Sequence, residues 1–243
     1  MSKTILITGA SSGIGRATAE VFLNAGWTVG LVARRADILD GMAETYSTAI
    51  PLPADVTDPE AVEAVFDGFV DTAGRVDAIF NNAGIFGKPG AVDEVTPNEF
   101  GEVVAVNLTA MFLVARAAFS RMKRQEPVGG RIINNGSIAA YVPRPRSVCY
   151  ATTKHAITGL TKSISLDGRD QGIACSQIDI GNAETPMVEA LNKRLISEGK
   201  EPNPVMDVGD AARMVLHMAE LPLEATVQFA TVMATRMEYI GRG

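Results

Sequence analysis

Cysteine is scarce in this chain, and the little that occurs forms no motif. Cys149 and Cys175 are the only two in 243 residues. They have neither the spacing of a metal site nor the density of a disulfide framework, so a reducing compartment and no bound metal are expected. No Pro/Ser-rich linker, internal repeat or low-complexity tract divides the sequence, which points to one domain over residues 1–243. Net basic charge is lacking too: the formal charge of −6 argues against a nucleic-acid partner. No leader-like segment or long apolar run stands out, since Met1-Ser2-Lys3 leads straight into a short apolar stretch. A soluble, cytoplasmic protein without membrane contact is the expectation.

What is present is a regular alternation. Glycine is abundant at 23 residues, and 47% of the chain is hydrophobic, enough for a substantial core. Short apolar runs over 4–8, 28–33, 50–54, 76–81, 131–135, 173–180 and 226–232 predict strands. The strand over 50–54 is weakened by Pro51 and Pro53. Segments of helical period lie between them, over 14–23, 36–46, 58–72, 97–124, 148–167, 186–199 and 208–219. Asp58 and Pro97 sit where a helix is capped or begun. Strands alternating with helices predict a doubly wound parallel sheet, a Rossmann fold with helices on both faces. The polar helix over 186–199, flanked by Pro202 and Pro204, reads as part of a substrate lid at about 186–205.

Chemistry enters at two places. The first strand ends in Thr8-Gly9-Ala10-Ser11-Ser12-Gly13-Ile14-Gly15. Glycines there let the backbone approach a pyrophosphate, and the helix that follows offers free N–H groups and a partial positive charge. The spacing departs from the common fingerprint, which places a G-x-G pair first; alone, such a loop is also compatible with a tight turn that binds nothing. Further along, Tyr150 and Lys154 are four apart on a predicted helix and share a face. An ammonium beside a phenol favours the phenolate and lowers a pKa of about 10, which suits a general acid/base.

The end of the second strand bears on which dinucleotide binds. An acid there would hold the ribose 2′-OH of NAD, whereas arginine accommodates the 2′-phosphate of NADP. This chain has Ala33-Arg34-Arg35 and no acid before Asp37. Preference for NADP, as NADPH in the reductive direction, is expected to rest on Arg34, with Arg35 either a second phosphate ligand or a solvated loop charge.

With those residues in view, the chain closely resembles the short-chain dehydrogenase/reductase family over nearly its whole length. The likeness is carried by Thr8-Gly9-x-x-x-Gly13-x-Gly15, Asn81-Asn82-Ala83-Gly84, Asn107, Ser137 and Tyr150-x-x-x-Lys154, with Ser137 and Tyr150 thirteen residues apart. The resemblance implies a cofactor site made by Gly9, Ser11, Ser12, Gly13, Ile14, Gly15, Arg34, Arg35, Asp55, Val56, Asn82, Ala83, Gly84, Tyr150, Lys154, Gly181 and Thr185. It implies that Asp55 and Val56 contact adenine and that Asn82, Ala83 and Gly84 line the adenosine ribose. Ser137 would hydrogen-bond the substrate oxygen, and Tyr150 would exchange a proton with it. Lys154 would bind the nicotinamide ribose and tune Tyr150, while Asn107 would hold a water of a proton relay. It also implies a homodimer or homotetramer. Singly, Ser137 as a strand-end cap, Asn107 as a buried helix polar group and Lys154 as a solvated charge remain competitive readings.

The chain also departs from that family. Ile180 stands where a proline usually precedes the glycine, here Gly181, and Asp179 and Asn182 are unusual neighbours for the pocket. The C-terminal run from Met233 to Gly243 does not resemble the family's usual ending, and His155 follows the lysine where a small residue is more usual. Around the substrate, Ile85, Phe86, 138–142 and 187–191 are expected to be mostly apolar. Arg144 and Arg146 are either contacts for an acidic group or solvated charges. The function expected is NADP(H)-dependent interconversion of a small-molecule ketone or aldehyde with an alcohol. A 3-oxoacyl thioester and a sugar or polyol are equally open as substrates, and the alternative is a non-catalytic NADP(H)-binding sensor or interaction module.

Overall fold

A computed structural model of the chain describes residues 3–240. The first two residues of the expected domain, and Gly241-Arg242-Gly243 of its unusual ending, lie outside the described residues. All seven strands are parallel and form one sheet in the order β3-β2-β1-β4-β5-β6-β7. They are β1 (Thr4–Thr8), β2 (Thr28–Ala33), β3 (Ala49–Pro53), β4 (Ala78–Asn81), β5 (Gly130–Asn135), β6 (Ile173–Ile180) and β7 (Phe229–Val232). The chain winds outward from β1 to β3, then returns to the middle at β4. The connections above β1 and β4 therefore diverge, leaving a crevice at their carboxyl ends.

The apolar runs are continuous because both faces of the sheet are covered. Ile5 and Ile7 point to one side, where Phe22 of α1 (Gly13–Asn24), Leu39 of α2 (Ala36–Thr45) and Val215 of α8 (Val208–Glu220) complete one core. Leu6 points to the other, against Phe66 and Phe69 of α3 (Pro59–Ala73) and Val114 and Ala118 of α5 (Ala110–Arg124). Pro51 and Pro53 are accommodated because β3 is the edge strand and pairs only with β2. Asp58 caps α3 through Glu60 N–H and Ala61 N–H, as expected.

Three expectations are corrected. The helix expected over 97–124 is interrupted: α4 (Pro97–Val104) and α5 are joined by a π-helical turn, Ala105–Thr109, centred on Asn107. The wider turn carries the Asn107 side chain to the loop after β4, which it holds by hydrogen bonds described below. The same stretch, Pro97–Arg124, is long and apolar enough to pass a membrane-span test by composition, contrary to the expectation of no such run. Here its apolar side, with Val103, Met111, Val114 and Met122, is buried in the protein core. The strand expected over 76–81 starts at Ala78, because the Asp77 carboxylate takes the Thr4 N–H at 2.9 Å in place of a strand bond. α6 (Val148–Gly168) and α7 (Pro186–Ser197) complete the helices, and α7 buries none of its side chains.

Candidate active site

The crevice above β1 and β4 opens into a cleft of about 730 Å³, within the ~300–1,000 Å³ of small-molecule sites. Its floor is the turn from β1 into α1. Gly9 adopts φ +70°, and a Cβ there would lie 2.9 Å from Asn82 Nδ2 and 3.2 Å from Ala83 Cα. Only glycine permits both the left-handed backbone and the approach to the β4 loop. The Thr8 hydroxyl ties the two loops together by accepting from Asn82 N–H (2.9 Å) and Ala83 N–H (3.0 Å). At the start of α1, Ser12 makes no side-chain cap bond and the first turn holds no acid. Its leading N–H groups thus face the cleft as an anion site. These features fit a pyrophosphate.

Of the expected cofactor residues, Gly9, Ser11, Ser12, Gly13, Ile14, Arg34, Arg35, Asp55, Val56, Asn82, Ala83, Gly84, Tyr150, Lys154 and Thr185 line the cleft. Gly15 and Gly181 do not. A Cβ on Gly15 would meet the Gly9 carbonyl oxygen at 2.2 Å, and one on Gly181 would meet Met233 Cβ at 2.6 Å. Both glycines serve close packing behind the cleft. At the adenosine end, Arg35 Nη2 donates to the Ser11 carbonyl and to Ser11 Oγ, each at 3.0 Å. The structure thus ties Arg35, rather than Arg34, to the phosphate loop. Asp55 titrates below its ordinary range, chiefly through the Thr57 N–H, with the Thr57 hydroxyl and the charge of Arg34 also lowering it.

The chemical end is built from α6, β5 and the segment after β5. Lys154 is 3% exposed, and its Nζ donates to the Asn135 carbonyl at 2.7 Å. Burial pulls it down to about 8, against an opposing pull from Asp179. Tyr150 stands one turn earlier, half-buried, with the Phe86 ring 5.0 Å away and tilted 31° over it. The expectation of a lowered phenol is corrected here. Burial raises Tyr150 above its ordinary value and outweighs the lowering by its hydrogen bond with Ser137 and by the charge of Arg144. Lys154 Nζ lies 5.6 Å from the ring centroid, but burial dominates the phenol in the free protein.

Ser137 sits at the end of β5 with its N–H on Asp179 Oδ1 (2.9 Å), while its hydroxyl oxygen accepts from Ala139 N–H (3.1 Å). The same hydroxyl is hydrogen-bonded to Tyr150. The Asn107 side chain is fully engaged: Oδ1 accepts from Ile85 N–H at 2.8 Å, and Nδ2 donates to the Ile85 carbonyl (2.8 Å) and Thr153 Oγ1 (3.2 Å). Asn107 and Ser137 are not among the cleft's lining residues; Ser137 meets it through its hydrogen bond with Tyr150. Asn107 thereby braces the β4 loop, a structural role the sequence alone left among its alternatives. His155 is exposed, with Nδ1 on the Ala151 carbonyl, and takes no part.

Several lining residues were not anticipated for the cofactor: Ala54, Thr57, Glu102, Ala105, Val106 and Asn135. Their signal in the sequence was positional only: Ala54, Thr57 and Asn135 lie at or after a strand end, and Glu102, Ala105 and Val106 precede Asn107 along its helix. Asn135 Oδ1 is buried without a hydrogen-bond partner. The arginines after Ser137 part company. Arg146, at φ +63°, pairs with Glu94 at 2.7 Å, while Arg144 Nη2 donates to Asn182 Oδ1 at 2.9 Å and faces Tyr150 electrostatically. Among the described residues, no group of three or more acidic, cysteine or histidine side chains could hold a metal.

The profile described as short chain dehydrogenase matches residues 3–195. A 3beta-hydroxysteroid dehydrogenase of Mediterraneibacter gnavus is 33% identical over 211 residues, 82% of this chain and 75% of that one. Among solved structures, a 3-ketoacyl-(acyl-carrier-protein) reductase from Brucella melitensis complexed with NADH superposes with a TM-score of 0.86. The identity is 27%, covering 96% of this chain and 98% of the other. ElxO with NADP bound gives a TM-score of 0.85 at 27% identity, covering 96% and 97%.

Proposed function

This chain belongs to the short-chain dehydrogenase family, and on that premise we propose that it is an NADP(H)-dependent oxidoreductase interconverting a ketone or aldehyde with an alcohol. The observation that carries the reading is the convergence, on one cleft, of an uncapped helix N-terminus with Tyr150 and Lys154. A nicotinamide dinucleotide fits the cleft: Gly9, Ser11, Ser12, Gly13 and the α1 N–H groups would hold its pyrophosphate, and Lys154 its nicotinamide ribose. When bound, it supplies or takes the hydride.

The residues do the rest. In reduction, negative charge grows on the carbonyl oxygen as its carbon receives hydride. Tyr150 passes its phenolic proton to that oxygen, and the Ser137 hydroxyl donates a hydrogen bond to the same atom. Lys154, buried and positive, then stabilises the phenolate until a proton returns. In oxidation the phenolate removes the alcohol proton. Burial raises the phenol in the free protein, so Tyr150 stands protonated at neutral pH, the form that reduction requires.

NADP preference is supported by Arg34 and Arg35 at the end of β2, with Arg35 on Ser11, an arrangement suited to a bidentate hold on a 2′-phosphate. The segment 186–205 is read as a lid, since α7 buries none of its side chains. A homo-oligomer is read from Phe112 on α5 and Leu166 on α6, 48% and 63% exposed.

The test follows nicotinamide absorbance with a carbonyl panel, NADPH beside NADH, and the variants Tyr150→Phe and Arg35→Asp. Tyr150→Phe should lose at least ~10²-fold in kcat and still bind NADPH. Arg35→Asp should lower the NADP/NAD ratio of kcat/KM about tenfold or more, the ~1.4 kcal/mol of one charge-assisted contact. Turnover unchanged in Tyr150→Phe defeats the mechanism; an unchanged ratio in both Arg35→Asp and Arg34→Asp defeats the cofactor assignment.

A further inference from the structure

Asp179 is a carboxylate with no exposed surface, placed near the end of β6 beneath the reactive residues. Its Oδ1 accepts from Ser137 N–H at 2.9 Å and from Gln177 Nε2 at 2.7 Å; its Oδ2 accepts from the Tyr141 hydroxyl at 3.2 Å. Burial raises this carboxyl above its ordinary value, while the donors from Gln177, Ser137 and Tyr141 and the charge of Lys154 pull it back towards the ionised form. Contact is close enough that a Cβ on Gly136 would lie 2.1 Å from Oδ1. A buried charge is costly, and a strand residue facing the core is ordinarily apolar. Nothing in the sheet requires a carboxylate at this position, where β6 pairs through Thr231 with β7. Two of its three partners, Ser137 and Tyr141, belong to the segment that presents Ser137 to Tyr150; the third, Gln177, is its neighbour on β6.

We propose that Asp179 is a positioning residue of the reductase site: it clamps the Ser137 amide and the Tyr141 hydroxyl from behind and sets a fixed negative charge against Tyr150 and Lys154. This rests on the functional reading above. The clamp fixes where the Ser137 hydroxyl points. The charge opposes formation of the Tyr150 phenolate and favours the ammonium of Lys154, and both effects are present in the free protein. The other groups facing this centre are Tyr150 and Lys154 from α6, Tyr141 and Arg144 from the segment before α6, and Tyr239 from the C-terminal segment, through Tyr141. Arg144 acts on Tyr150 with the opposite sign to Asp179. The pair thus sets the phenol between two charges, and removing Asp179 leaves burial alone to oppose the arginine.

Asp179→Asn keeps an acceptor for the Ser137 amide and removes the charge. In carbonyl reduction with NADPH, the basic limb of the kcat/KM profile should move to lower pH. A purely structural role would depress kcat/KM and leave the limb in place. That outcome, in folded Asp179→Asn with unchanged NADPH binding, overturns the proposal.

If Asp179→Asn does not fold, Tyr141→Phe removes one donor, weakens the ionised form and should displace the limb the same way by a smaller step; an unmoved limb there counts equally against the proposal. Should wild-type protein turn over no carbonyl, the functional reading fails separately. Asp179 is then judged by ultraviolet titration of phenolate in the free protein, with Tyr150→Phe as reference. An onset at lower pH in Asp179→Asn sustains the proposal, and an unmoved onset overturns it.

Discussion

Lys154 shows how one side chain can be both necessary to a site and costly to the fold. It is almost fully enclosed, its single hydrogen bond runs to the Asn135 carbonyl, and burial holds it at about 8 against an ordinary 10.5. A lysine whose folded pKa lies below its unfolded value binds fewer protons folded than unfolded between the two. Stability from this group therefore rises as pH increases from about 8 to 10.5 and is flat below. Relative to Lys154→Met, the cofactor-free wild type should gain up to about 3 kcal/mol across that interval, read as the difference in urea unfolding free energies. Comparison with the variant removes the shared background of Tyr150 and Cys175, which burial raises and which act in the opposite direction at high pH. A difference independent of pH would show that the ammonium is not destabilised by its surroundings. The pairing of Tyr150 with Lys154 was legible from their spacing, because four residues along a helix fix a shared face. The sign of the phenol's displacement was not, because it depends on how deeply Phe86 and the cleft wall enclose the ring.

At the scale of elements, the sequence made strands and helices visible wherever period and termination agreed. β1, β2 and β6 coincide with their expected ends because glycine or a polar turn follows an apolar run at once. The π turn was invisible, because Val104 to Ala110 has the composition of any amphipathic helix. What widens the helix there is a long-range partner, the Ile85 backbone, which no local pattern encodes. Asn107→Ala should test this. It strips both Ile85 backbone groups of their partner and should cost about 2–3 kcal/mol of stability, with the loop after β4 losing amide hydrogen-exchange protection. Asp58→Ala, which removes the cap of α3 far from the cleft, should cost about 1 kcal/mol and leave that loop protected. Equal protection of the loop in both variants would mean that Asn107 does not brace it. The same distinction explains Gly15 and Gly181. Glycine at those places was readable, but its service to packing behind the cleft became clear only with Gly9 and Met233 in position.

For the molecule as a whole, the two ends of the sheet carry different burdens. The carboxyl ends of β1, β4, β5 and β6 hold the cleft, Tyr150 and Asp179. Opposite them, at the start of β5, lies Arg131, a guanidinium only 1% exposed. Its Nη2 donates to the carbonyls of Leu221 (3.2 Å), Pro222 (3.1 Å) and Ala225 (2.9 Å), and Nη1 to Thr226 Oγ1 at 3.0 Å. It thus closes the C-terminal end of α8, where a cation is favoured, and fastens the chain on its way to β7. Burial lowers its pKa, yet an arginine remains charged, and three carbonyls depend on it. Arg131→Met should therefore destabilise the protein by about 3–5 kcal/mol, the range for breaking a buried charge network from one side. Urea unfolding should show a lower midpoint at an unchanged slope. The change lies at the far end of the strands from the cleft. kcat and the apparent pKa of the Tyr150 limb should therefore match wild type at temperatures where the variant stays folded. A variant that lost activity in proportion to stability even when fully folded would mean that the end of α8 and the reactive end of β5 are mechanically coupled. A variant that kept its midpoint would mean that the α8 carbonyls find water once the guanidinium is gone.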